Sequence, residues 1–303
     1  MNKYSFQVDE KSNGYRIDKY LSNEMSDYSR AYIQKLIKDS NVSVNDKIVK
    51  SNYKLNANDL IVIQVPDNQE PEILPEDISL DILYEDQDLL IVNKPKGMVV
   101  HPSAGHYTKT LVNAVLFHCK NDLSGINGVL RPGIVHRIDM DTTGALIVCK
   151  NDFSHNSIAA QLKEHTITRK YRAIVYGVIK EDEGVIDAPI GRHPIDRKKM
   201  AVNEKNGKHA VTHYKIIKRF KDTTYIECQL ETGRTHQIRV HMASIQHPLL
   251  GDQLYGHTRK NTKLLGQTLH AMTIGFIHPR TNKYMEFEAP LPEYFEKLLL
   301  SFE

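Results

Sequence analysis

The sequence predicts an α+β protein, with a mixed, largely antiparallel sheet domain preceded by a small α/β unit. Three observations carry this. Helical apolar spacing gives way to alternation within the first 66 residues, and an acidic stretch containing two prolines follows. Beyond Leu80, strand-like and helix-like segments come in irregular order, without the regular βα alternation of a parallel fold. At 303 residues the chain is long enough for one large domain and one small one.

In residues 1–66, RIDKYLSNEM has helical spacing, with Ile17, Tyr20 and Leu21 on one side. A second helix is expected after Ser29 as N-cap, turning Ile33, Leu36 and Ile37 inward. VSVNDKIV alternates around an Asn-Asp turn, and LIVIQV reads as a strand ended by Pro66. So short a run buries little surface, which suits an appended module. Residues 67–79, DNQEPEILPEDIS, read as an extended acidic linker. The large domain is expected over residues 80–303. It opens with two strands around the acidic turn in DILYEDQDLLIVNKP, and further strands are expected at GALIVCK, KYRAIVYGVI, THYKIIKRF, TTYIECQLE and KYMEFEAP. Helices are expected at TLVNAVLFHC, NSIAAQLKEH, THQIRVHMASI and EYFEKLLLSF.

Composition excludes several classes. No apolar run approaches the roughly 18 residues of a membrane helix, so no membrane association is expected. The opening MNKYSFQVDE lacks the apolar core of a signal peptide and points to the cytoplasm. Three dispersed cysteines, Cys119, Cys149 and Cys228, fit neither a disulfide framework nor a cysteine-rich zinc site. The net charge of +3 hides a division: residues 1–66 carry +2, residues 67–92 carry −9, and residues 93–303 carry +10. That distribution permits a polyanionic partner and equally permits an ordinary solvated surface.

Three segments could carry chemistry. In RPGIVHRIDMDTTGALIVCK, a polar run sits between a Pro-Gly turn and an apolar strand. From the residues alone, Asp139 is either a turn cap paired with Arg137 or a reacting carboxylate. Asp139 and Asp141 share a side on a strand and diverge on a turn. In ETGRTHQIRVHMA, a turn at Thr232-Gly233 leads into a helix, with Arg234 near its start and Arg239 and His241 further along. His236 and His241 are five apart, not the four of a helical metal pair, and no metal site is expected. In TITRKYRAIVYG, Tyr171 lies among Arg169, Lys170 and Arg172. An aromatic among cations suits stacking on a base beside phosphates, and equally a core tyrosine.

Together these segments resemble the RluA/RluD family of RNA pseudouridine synthases, most closely its RluD-like branch. IVHRIDMDTTG resembles the family's catalytic motif, with Ile138 where Leu is usual. RKYRA resembles the tyrosine motif and ETGRTHQIRVHMA the arginine motif. LLIVNKPKGMVVHPSAG, HPLLGDQLYG and residues 269–279 follow in family order, and residues 15–65 resemble the alpha-L (S-four-type) RNA-binding domain. The resemblance implies Asp139 as catalytic aspartate, with Tyr171 stacking on the uracil or helping to remove the carbon-5 proton. It implies Arg234 paired with Asp139, and Arg137 filling the space of a flipped nucleotide. Its motifs put His136, Thr143, Gly144, Lys170, Thr235, His236 and Arg239 with Arg137 among the substrate-binding residues. The implied substrate is structured RNA, most specifically large-subunit ribosomal RNA or a pre-ribosomal particle, and no cofactor or metal is implied; the chain itself is expected to be a monomer.

Three rival readings exist. A phosphotransferase is suggested by HRID, but Ile138 separates Arg from Asp and no kinase Gly-rich loop is found. A methyltransferase would need a Gly-rich cofactor loop after an early strand. A non-catalytic RNA-binding ribosome-assembly factor would not require Asp139, Tyr171 and Arg234 together.

Overall fold

The computed structural model describes residues 2–66, 73–103, 105–120, 122–126, 131–256, 264 and 266–303. The chain folds as two units, residues 1–71 and 72–303.

In the first unit, β1 (Asn2–Gln7) precedes α1 (Ile17–Glu24) and α2 (Arg30–Lys38), followed by β2 (Val42–Val44), β3 (Lys47–Ile48) and β4 (Leu60–Val65). The sheet order is β1-β4-β2-β3, all antiparallel. Ile17, Tyr20, Leu21, Ile33, Leu36 and Ile37 are buried in one core with Ile61 and Ile63, as their spacing predicts. Ser29 caps α2 by accepting from the Tyr32 N–H. Asn45 and Asp46 both take positive φ, the geometry that a two-residue hairpin turn demands. Asp18, fully buried on α1, accepts from Arg16, Arg30 and Gln34 and so ties α1 to α2. Burial opposes its charge, but those donors prevail and hold its carboxyl down at about 2.

The second unit contains β5 (Ile82–Glu85), β6 (Leu89–Lys94), α3 (Leu111–Cys119), β7 (Thr143–Cys149), α4 (Asp152–Lys163) and β8 (Thr168–Tyr176). Then come β9 (Glu183–Asp187), β10 (Ile190–Arg192), β11 (Met200–Val202), β12 (Val211–Arg219) and β13 (Thr223–Leu230). It closes with α5 (Gln237–Ser244), β14 (Leu269–Ile277), β15 (Tyr284–Glu288) and α6 (Glu293–Ser301). The large sheet runs β5-β6-β7-β14-β8-β13-β12-β9, with β15 also on β14 and β10-β11 apart. Every pairing is antiparallel except β7 with β14, so the sheet is mixed and largely antiparallel, as expected.

Strand β7 is buried along its whole length, feeding Leu146 and Val148 into one core and Ala145, Ile147 and Cys149 into another. Gly144 makes its close approach to β14 possible. Its φ is +109°, and a Cβ there would overlap the Ala271 carbonyl.

The acidic linker expected over 67–79 lies outside the described residues as far as 72. From Ile73 the chain is already packed: Ile73 is buried in the core of the second unit. Asn113 of α3 donates to the Leu74 carbonyl and accepts at its own carbonyl from the Glu76 N–H. No helix among the described residues is long and apolar enough to cross a membrane.

Candidate active site

Asp139 precedes β7 in a tight turn, where the Thr142 N–H donates to its carbonyl at 3.0 Å. The turn sends Asp141 away from Asp139, and only Asp139 lines the neighbouring cavity. Lys94, at the end of β6 and 1% exposed, supports the turn from behind. Its ammonium donates to the carbonyls of Pro95, Met98 and Met140 at 2.8–2.9 Å. Burial pushes Lys94 down to about 7, against the pull of Asp141 and Asp139.

The cavity is about 530 Å³, within the range of small-ligand sites. The turn before β7, the end of α4, the start of β8 and the β13–α5 loop all contribute to its wall. Asp139, Tyr171, Arg234, His136, Arg137, His236 and Arg239 line it, so the structure brings most of the sequence-predicted residues together.

The pairing of Asp139 departs from expectation. Its partner is Arg239, whose Nη1 donates to Asp139 Oδ2 at 2.7 Å. Arg234 instead gives its Nε–H to the His209 carbonyl at 2.9 Å and stays at the cavity wall. The reason is local. His236 adopts a left-handed conformation, φ 57°, and α5 begins immediately after it, so Arg239 is the side chain that projects toward the turn. Gln237, 3% exposed, fixes this loop by accepting from the Arg234 N–H and Thr232 Oγ1 while donating to the Val211 carbonyl.

Behind Arg239 lies Asp252, fully buried at its side chain, which takes Nε–H at 2.7 Å and Nη2–H at 3.0 Å. Burial works against the Arg239 charge, yet the two carboxylates push its pKa up, so it is a permanent cation. Asp252 is held below the usual carboxylate range by Arg239, in spite of its own burial. The Tyr255 ring lies under the guanidinium, 5.1 Å to the centroid, and the Tyr255 hydroxyl sits 2.8 Å from His236 Nδ1. His236 Nε2 is 3.8 Å from Asp139 Oδ1.

Tyr171 is 8% exposed on β8, and burial raises its pKa, helped by Asp139 and opposed by Arg169. It is a neutral phenol at physiological pH. His136 accepts the Ile147 N–H at Nε2, which puts its proton on Nδ1. Burial, aided by the Arg169 charge, pushes it down to about 3. Arg137 is exposed, with Nη1 3.5 Å from His101.

Four expected substrate-binding residues do not line the cavity. Thr143 is 3% exposed and donates to His270 Nδ1, because His270 Nε2 must itself donate to the Ala289 carbonyl. Gly144 serves the β7–β14 contact. Lys170 falls on the β8 face opposite Tyr171, beside Arg172, which pairs with Glu227 at 2.9 Å. Thr235 is exposed on the loop before α5. His241 is occupied structurally, donating to the Ala188 carbonyl and accepting from Thr212.

The sequence motifs assign no role to Asp252 or Lys94, and they name Arg169 only as one of three cations around Tyr171. The two-residue spacing from Tyr171 on a strand was a usable signal for Arg169; Asp252 and Lys94 have no local signal, since both act across the fold. Among the described residues, one trio has the spacing of a cation site, Asp86, Asp88 and His278. There Arg280 already grips Asp88 with two bonds, and His278 and Tyr84 hold Asp86.

The fold and the cavity define the class: an α+β scaffold whose cavity presents one carboxylate, Asp139, clamped by Arg239. The chain belongs to the RNA pseudouridylate synthase family, whose model matches residues 88–244. An S4 domain matches residues 16–61. The chain is 54% identical over 99% of its length to an uncharacterized RNA pseudouridine synthase, YlyB, of Bacillus subtilis, covering 98% of that protein. It is 46% identical to ribosomal large subunit pseudouridine synthase D of Zymomonas mobilis, over 95% of each. In fold it is similar to human RNA pseudouridylate synthase domain containing 1. The TM-score is 0.59 and the identity 23%, over 75% of this chain and 96% of that one. The chain is an RNA pseudouridine synthase, and a binding-only role is not favoured.

Proposed function

We propose that this chain isomerises specific uridines of large-subunit ribosomal RNA, free or in a pre-ribosomal particle, with Asp139 as the reacting carboxylate. The observation that carries the reading is the Asp139–Arg239–Asp252 chain opening into a cavity of about 530 Å³. The choice of RNA rests on relatives named ribosomal large subunit pseudouridine synthase D.

Uridine and pseudouridine are isomers. The bond from C1′ to N1 breaks, the uracil turns, C1′ bonds to C5, C5 gives up its proton and N1 takes one up. The uracil must stay enclosed, and the carboxylate must stay ionised beside it. Arg239 faces that carboxylate with a fixed charge aimed along one hydrogen bond. Tyr171, 8% exposed at the wall, supplies an aromatic face for the unstacked base. Such stacking returns about 1–3 kcal/mol of the few kcal/mol that unstacking costs. Arg137, exposed at the mouth, is suited to the space left by the flipped nucleotide, and Arg234 and His236 to contacts at the rim. The chain is proposed to act as a cytoplasmic monomer.

The experiment is to map pseudouridines in ribosomal RNA from cells with and without the protein, then to restore them with purified enzyme. Identical maps would end the reading. A change confined to transfer RNA would keep the chemistry and overturn the substrate.

A further inference from the structure

Arg169 is a buried guanidinium in the cavity with no partner for its charge among the described residues. It is 7% exposed and sits on β8 two residues before Tyr171, on the same strand face. Both line the cavity that Asp139 opens into. Among the described residues it makes one hydrogen bond, Nη2 to the Glu231 carbonyl at 3.1 Å. Its Nε is buried without an acceptor, and it forms no ion pair. Arg239, in the same cavity, is by contrast gripped by two carboxylates. The loop also makes room for Arg169: a Cβ on Gly233 would lie 2.6 Å from its Nη1.

Burying a guanidinium without a counter-charge is unfavourable, and the group stays protonated, so the arrangement is explained when a ligand completes it. Burial pulls the Arg169 pKa down, with Tyr171 opposing, which agrees with a cation short of partners. We propose that Arg169 is a substrate-contacting residue whose guanidinium receives an anionic oxygen of the nucleotide in the cavity. The proposal rests on the reaction assigned above. Its place beside Tyr171 points to a carbonyl oxygen of the uracil. When the C1′–N1 bond opens, its electron pair passes to the ring and is shared with O2 and O4, and a preorganised cation there stabilises the detached base. A phosphodiester oxygen is the other source of the same chemistry.

The test uses the full chain carrying Arg169→Gln, Arg169→Lys or Gly233→Ala. It reads single-turnover pseudouridine formation at saturating enzyme, and RNA affinity against salt. For a uracil oxygen, Arg169→Gln slows the saturated rate by about 10²–10³-fold with affinity within about threefold. Arg169→Lys recovers part of it, and Gly233→Ala, which keeps the charge but displaces it, slows the rate by a smaller factor. For a phosphate, the saturated rate holds while affinity falls and the slope of log K against log salt flattens by about 0.7–0.9. Two results overturn the proposal: unchanged rate, affinity and slope in Arg169→Gln, or equal losses in Gln and Lys that follow a common loss of melting temperature. Wild-type enzyme is the control for the reaction itself. If it forms no pseudouridine, the assigned function fails; if only the variants behave as wild type, Arg169 fails alone.

Discussion

Arg239 and Asp252 form a two-bonded ion pair, at 2.7 and 3.0 Å, that leaves only Nη1 of the guanidinium to reach Asp139. Asp252 is itself fixed by the N–H groups of Leu254 and Tyr255. The position of the Asp139 carboxylate is thus set from the segment between α5 and β14 through two rigid charge contacts.

Arg239→Lys should therefore be severe despite keeping the charge, since a lysine cannot bond both carboxylates in one plane. The expected loss is about 10²-fold or more in saturated rate, with RNA affinity near normal. Arg239→Ala strands the buried Asp252 charge and should cost about 3–5 kcal/mol of stability. Urea melts and single-turnover rates on the two variants check this; a lysine variant with normal rates would remove the clamp from the mechanism.

Asp139→Asn should abolish turnover and leave RNA binding within a few-fold of wild type, because the phosphates are met elsewhere. Its carboxylate is 26% exposed, so little stability should be lost. Product detection after exhaustive incubation decides the matter, and a measurable wild-type-like rate would sink the assignment.

The motifs in the sequence located the cavity without settling its wiring. Asp139, Tyr171 and Arg239 all lie in segments whose patterns stand out. Which arginine meets Asp139, however, depends on the left-handed turn at His236, a backbone choice that residue types alone do not reveal. Lys170 and Arg169 exchange importance for the opposite reason: strand alternation does determine them, and the cluster of three basic residues obscured it. Strand β14 went unread because it is buried on both faces and carries a register shift between Ala271 and Thr273, which erases alternation.

His136 gives a pH prediction. Its folded pKa of about 3 lies below the 6.5 of an unperturbed imidazole. Between those values the unfolded chain binds a proton that the folded chain refuses, so stability is complete above about pH 6.5 and falls as pH drops toward 3. The half-buried ring limits the effect to about 1–3 kcal/mol. His136→Gln, whose amide oxygen can accept the Ile147 N–H, should melt lower at pH 7 but show a flatter decline from pH 6.5 to 4. Parallel curves for the two proteins would contradict a His136 held neutral in the fold.

The N-terminal unit should govern RNA capture rather than isomerisation. It has its own core and its own buried ion network at Asp18, and none of its described residues lines the cavity. A chain of residues 72–303 should therefore fold. Starting at residue 80 instead removes buried Ile73 and the Leu74 and Glu76 bonds to Asn113, so that shorter piece should melt several degrees lower. On long ribosomal RNA the 72–303 chain should bind more weakly than the whole protein and with a flatter salt dependence, since fewer phosphates are neutralised. Its saturated single-turnover rate should match that of the full chain, because tethering raises effective concentration without adding contacts at the reacting base. Equal affinity and equal salt slope would mean that residues 1–71 do not touch this RNA. A collapsed saturated rate in a well-folded 72–303 chain would mean that they help to build the active site.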